Sequence, residues 1–188
     1  RVFFDASKYH MAIRYLQRYS DVDLRVVHLV RDVRGATASL MRHIPKLTLE
    51  QATQHWIHGN RNVERQLAGM PRDRVTRIRY EDLCRQPERT LRHVFEFCGV
   101  DPNIELTINP DSPGCIIGNQ MRLQGVAEIR LDERWRRSFS ASQLRYIEGA
   151  AKELHTRYGY TSPREDRRSP NSNGRLDNSP QVSELPTP

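Results

Sequence analysis

Strands alternating with helices across short connections place this 188-residue chain in the α/β class, a parallel sheet flanked by helices. Three observations carry that expectation. Residues 24–30 (LRVVHLV) form an apolar run bounded by polar turns and followed at once by a helical pattern. Residues 75–80 (VTRIRY) repeat the arrangement, and the short run at 2–4 (VFF) gives a third strand. All three end in polar residues, Asp5/Ser7/Lys8, Arg31/Asp32 and Tyr80/Glu81/Asp82, at the edge where open parallel sheets bind ligands.

After the first strand, Tyr9, Ala12, Ile13 and Leu16 recur at helical spacing, which predicts a helix over 9–19. Residues 24–30 are apolar at both alternating sets of positions, as expected of a strand covered on both faces. A helix to His43 comes next, then a longer one over 48–67 carrying Trp56, Ile57 and Val63. The strand at 75–80 leads to a helix over 87–97, where Pro87 suits the first turn. Residues 101–132 read as irregular, and a last helix over 141–158 has Ser140 or Ser142 as its cap and Gly159 as its stop.

Composition bounds the rest. Five of the eleven prolines fall in 163–188, where Leu176, Val182 and Leu185 are the only aliphatics. Such a segment cannot bury enough apolar surface to offset its ordering entropy, so 163–188 is expected to be a disordered tail behind a domain at 1–162. The tail's four arginines cancel its four acids, which assigns the net charge of +7 to the domain. That charge is almost all arginine, 27 Arg against 3 Lys, and a guanidinium matches phosphate or sulfate bidentately. Arginines on solvated helix faces would give the same composition. Cys84, Cys98 and Cys115 make no CxxC pair, so no metal is expected. No stretch approaches the 18 apolar residues of a membrane span.

The sharpest local pattern is residues 28–39, HLVRDVRGATAS. An Arg at a strand's end and a Ser eight residues on, in the following helix, can converge on one anion at the helix's positive end. The same residues can also be structural, with Arg31 paired to Asp32 and Ser39 turned onto its own helix. This segment resembles the 3′-phosphate-binding motif of the sulfotransferase family, whose usual form is LVRDPR followed by a Ser at this spacing; here Val33 stands where many members have Pro. The resemblance implies that Arg31 and Ser39 hold the 3′-phosphate of 3′-phosphoadenosine-5′-phosphosulfate.

Residues 77–100, RIRYEDLCRQPERTLRHVFEFCGV, are similar to the family's RYEDL segment, which implies that Tyr80 lines the adenine; by residue type alone Tyr80 can equally be a strand-end core aromatic, and Glu81 and Asp82 brace the loop or cap the following turn. Residues 2–8, VFFDASK, resemble the strand end that lies beside the transferred group. By that likeness Lys8 supplies positive charge to the developing anion, and Asp5 takes the acceptor's proton or orients Lys8. Residues 115–125 and 131–143 resemble the closing stretch of certain members, with Arg122 closing over the nucleotide and Trp135 as a packing anchor.

Together these matches imply a sulfotransferase fold of the P-loop nucleotide-hydrolase type, in the carbohydrate-like LVRD form. The Gly/Ser/Thr-rich loop with a Lys that would wrap the 5′-phosphosulfate does not occur in the sequence. An amino-terminally truncated domain, missing its first strand and phosphate loop, is therefore expected. The expected partners are the nucleotide sulfate donor and a hydroxyl acceptor of glycan type. The expected compartment is the Golgi lumen through an anchor outside this chain, with the cytoplasm as the alternative. Two other readings remain beside the enzyme: a non-catalytic fragment, and a basic nucleic-acid-binding module. The low aromatic content, 7%, and the lack of a nucleic-acid motif count against the second, so no nucleic-acid partner is expected.

Overall fold

The computed structural model describes residues 11–18, 22–103 and 130–160. Helix α1 spans Met11–Leu16, β1 Val26–Val30, α2 Val33–His43 and α3 Leu49–Leu67. A 3-10 turn at Arg72–Arg74 leads into β2, Val75–Arg79, followed by α4, Tyr80–Arg85, and α5, Pro87–Cys98. Three short helices close the described chain: α6 Trp135–Ser138, α7 Ala141–Ala150 and α8 Lys152–Arg157. The strand expected at 2–4, Asp5, Ser7, Lys8, Arg122 and the tail at 163–188 lie outside the described residues.

The chain divides into two compact units, one built from the residues up to Arg31 with Gly59–Asp132, the other from Asp32–His58 with the residues from Glu133 onward. In the first unit β1 and β2 pair in parallel, in register from Val26↔Val75 to Val30↔Arg79. Because of that register the two strands stop at the same level, and Arg31 and Tyr80 leave the same edge side by side. His28 and Val30 are buried on one face of β1, while Leu29 on the other is 50% exposed. An apolar run shows what a strand can bury on each face, not what it does, and the expectation of two covered faces holds here for one.

The ends of the elements obey local chemistry. Thr48 Oγ1 accepts from the Gln51 amide and Gln51 Oε1 from the Thr48 amide, a reciprocal cap at the start of α3. Pro87 starts α5, and Gly99 ends it at φ 69°, a left-handed conformation that a side chain opposes. Tyr80 opens α4 instead of closing a strand, and the acidic Glu81 and Asp82 occupy that helix's first turn, where its dipole favours them. Asp82 also takes the Arg79 guanidinium in a fork, both bonds at 2.9 Å.

The second unit packs α6 and α7 on α2. Its core contains Val33, Ala38, Trp56, Ile57, Trp135, Ile147, Leu154 and Tyr158. Trp56 and Tyr158 meet edge to face with ring centres 5.8 Å apart. Ser140 caps α7 with a full capping box through Gln143. The single helix expected over 141–158 is two: Ala151, buried at φ −99°, ψ 4°, breaks it. Gly149, two residues earlier, is the weak helix former at this point.

Candidate functional site

In the first unit the register sets Arg31 beside Tyr80, with the guanidinium carbon 4.4 Å from the centre of the phenol ring. A cation is thus laid flat on an aromatic face at the carboxyl edge of the strand pair. Arg31 Nη2 also donates to the Asp132 carbonyl at 3.1 Å and meets the Asp132 carboxylate at 3.3 Å. The Tyr80 hydroxyl donates to the Arg130 carbonyl at 3.1 Å and accepts from the Asp132 amide at 3.3 Å. Burial, and then the hydrogen bond with the Cys84 thiol, push the Tyr80 pKa up, so the phenol stays protonated and able to donate.

Asp32, the neighbour that the sequence offers Arg31 as a partner, engages Arg34. Asp32 belongs to the second unit, where it caps α2 by accepting from the Arg34 amide at 2.8 Å. It also grips the Arg34 side chain through Nε at 2.9 and 3.1 Å and through Nη2 at 2.5 Å. Arg34 reaches on to Glu148 at 2.9 Å, tying the start of α2 to α7, and covers the Trp135 ring at 4.4 Å. His155 Nε2 approaches Asp32 at 3.4 Å and stacks on Tyr160 with ring centres 5.1 Å apart. Burial alone would push the Asp32 carboxyl up. The close approach of the His155 ring and the hydrogen bonds and charge of Arg34 overcome that and hold it below the usual carboxylate range. Trp135 is indeed a packing anchor, with Arg136 4.7 Å from its ring and Arg34 covering it as well.

Ser39 lies in α2, partly exposed, with its carbonyl engaged by His43 at 2.8 Å. Of the residues singled out from sequence, the structure therefore brings Arg31 and Tyr80 together in one unit and sets Ser39 on the helix that comes after β1. Asp5, Lys8 and Arg122 are outside the described residues. Asp132 was missed, and no local pattern could have found it, because it meets Arg31 across 101 residues of sequence. Among the described residues no cluster of His, Cys, Asp and Glu is arranged to hold a metal ion, and no helix is long and apolar enough to cross a membrane.

The arrangement offers a charged fork of N–H donors next to a flat aromatic ring at a sheet's ligand-binding edge. A guanidinium of this kind can hold an oxyanion such as phosphate or sulfate.

Comparison with known proteins agrees with the fold. A solved structure, "Sulfotransferase Domain from the Curacin Biosynthetic Pathway", superposes with a TM-score of 0.56 at 17% identity over 84% of this chain. The chain spans 60% of the length of that domain. No curated protein matches the chain. The model of the sulfotransferase family matches residues 11–103, the stretch that carries both strands, Arg31, Ser39 and Tyr80. By this model over residues 11–103, and by its fold, the chain is similar to the sulfotransferase family.

Proposed function

We propose that the protein moves a sulfuryl group from 3′-phosphoadenosine-5′-phosphosulfate to a hydroxyl, with a carbohydrate as the acceptor. The observation that carries this reading is the Arg31–Tyr80 pair at the carboxyl edge of β1 and β2 in a chain similar to this family. Arg31 and Ser39 hold the donor's 3′-phosphate, the first with a guanidinium fork and the second with a hydroxyl. Tyr80 offers apolar surface to the adenine. In the transfer the bond from sulfur to the 5′-phosphate oxygen breaks as a bond to the acceptor oxygen forms, and the acceptor's proton leaves to a base. Adenosine 3′,5′-bisphosphate is the other product. Such a step depends on positioning and electrostatics. Asp5 as base and Lys8 as counter-charge fit that need by residue type, as Arg122 fits closure over the nucleotide. A glycan acceptor goes with a Golgi-lumenal enzyme.

The test is calorimetric binding of adenosine 3′,5′-bisphosphate to the chain. Removing a charged hydrogen-bonding partner of a phosphate costs about 2–5 kcal/mol, so Arg31→Ala should weaken binding by at least about thirtyfold. Ser39→Ala should weaken it by about tenfold, since a neutral donor contributes about 1 kcal/mol or somewhat more. Equal affinity in Arg31→Ala and the parent chain would remove the assignment.

A further inference from the structure

Arg31 and Tyr80 are both engaged by one short strap of chain, residues 130–132. Three of its backbone groups are committed: the Asp132 carbonyl to Arg31, the Arg130 carbonyl to the Tyr80 hydroxyl, and the Asp132 amide back to that hydroxyl. The Cys84 thiol adds a long contact to the Arg130 carbonyl at 3.7 Å. Main-chain bonds therefore hold the strap, and its place does not require a charge. What the Asp132 side chain adds is a carboxylate 3.3 Å from Arg31 Nη2, in a pair only 17% and 22% exposed. That carboxylate sits on the cation that would meet a phosphate, and two anions on one guanidinium oppose each other.

We infer that Asp132 is an internal counter-ion occupying the anion seat of Arg31: a nucleotide phosphate binds by replacing the Asp132 carboxylate while the backbone contacts keep the strap in place. The inference rests on the reading of Arg31 as a phosphate ligand. It gives Asp132 a role in affinity and in turnover. The carboxylate lowers the affinity for every phosphate that enters, and it retakes Arg31 as the bisphosphate product leaves, which keeps release from becoming the slow step. Asp132 thus regulates occupancy of the site without taking part in the transfer.

The experiment compares the parent chain with Asp132→Asn and Asp132→Glu, folding of each being checked by its urea midpoint. Asn keeps the shape and the strap's backbone bonds and removes the charge; Glu keeps the charge. Loss of a partly exposed competing ion pair should tighten adenosine 3′,5′-bisphosphate binding about fivefold in Asp132→Asn, with Asp132→Glu within about twofold of the parent. Unchanged or weaker binding in Asp132→Asn overturns the proposal, because the carboxylate would then support Arg31 instead of competing with its ligand.

A second measurement separates this outcome from failure of the functional reading. Phenylglyoxal modification of Arg31, monitored by mass spectrometry, is titrated with inorganic sulfate as the protecting anion. The half-protecting concentration falls about fivefold in Asp132→Asn if the carboxylate fills the seat, and equal concentrations in all three chains overturn the proposal. A parent chain that binds no bisphosphate refutes the nucleotide reading, while the sulfate titration still decides the role of Asp132.

Discussion

Replacing Asp32 tests whether the RDVR segment is split between two jobs, as its geometry indicates. Asp32→Ala removes the cap of α2 and leaves Arg34, only 8% exposed at its side chain, with the Glu148 carboxylate alone to balance its charge. Breaking a buried pair from one side costs about 3–5 kcal/mol, of which about 1 kcal/mol here is the cap. Asp32→Asn keeps an oxygen for the Arg34 amide and loses the charge, so it should cost about 1 kcal/mol less than Ala.

Urea unfolding monitored by far-UV circular dichroism reads the difference. With a slope of about 2 kcal/mol per molar urea, the Ala variant's midpoint should fall by about 2 M. The sign of the pH effect is also fixed. The folded carboxyl titrates below its ordinary value of 3.8, so its contribution is present above that value and fades as pH falls further. The gap between the parent and Asp32→Asn should therefore narrow in acid. An Ala variant within about 1 kcal/mol of the parent, or a gap that persists unchanged into strong acid, would refute the argument.

Other expectations can be checked alongside. Burial first, and then the charge of Arg77, lower the His28 pKa to about 4 against the raising effect of its bond to Asn60. Stability from keeping His28 neutral is complete above pH 6.5 and is lost as pH falls toward 4, by about 3 kcal/mol; His28→Gln should flatten that part of the stability–pH curve. Gly99→Ala places a side chain at φ 69° with its new Cβ in ordinary contact with Arg25 at 4.0 Å, so backbone strain alone should cost about 1 kcal/mol in a thermal melt. Ser140→Ala removes the capping-box acceptor of α7 and should lower stability by about 1 kcal/mol, measured the same way, with Ser140→Asp restoring most of it.

Much of this fold was legible because its elements carry their own punctuation. Pro87, Ser140 and Gly159 mark the ends of helices by fixed local chemistry, and each does so here. Arg31 and Tyr80 were legible as strand-end residues, although Tyr80 starts a helix. That they lie against one another comes from strand register, which no local pattern contains. The pairings that define the site's electrostatics were hidden for the same reason. Asp32 sits next to Arg31 in sequence yet serves Arg34, while a carboxylate on Arg31 comes from Asp132, 101 residues further along the sequence. The break at Ala151 had one local sign, Gly149 two residues before it, inside an otherwise good helical pattern.

The burial of Trp56 and Trp135 has a practical consequence. They are the chain's two tryptophans, and both belong to the unit that begins at Asp32. Their emission is accordingly a private optical signal of that unit, with Trp135 set close to two guanidinium groups that would quench or shift it if either moved. Arg31, Tyr80 and the paired strands contribute no indole, so they are followed instead by far-UV dichroism, which reports on both units. Whether the two spectroscopic transitions coincide on heating would show directly whether the two halves melt as one cooperative body.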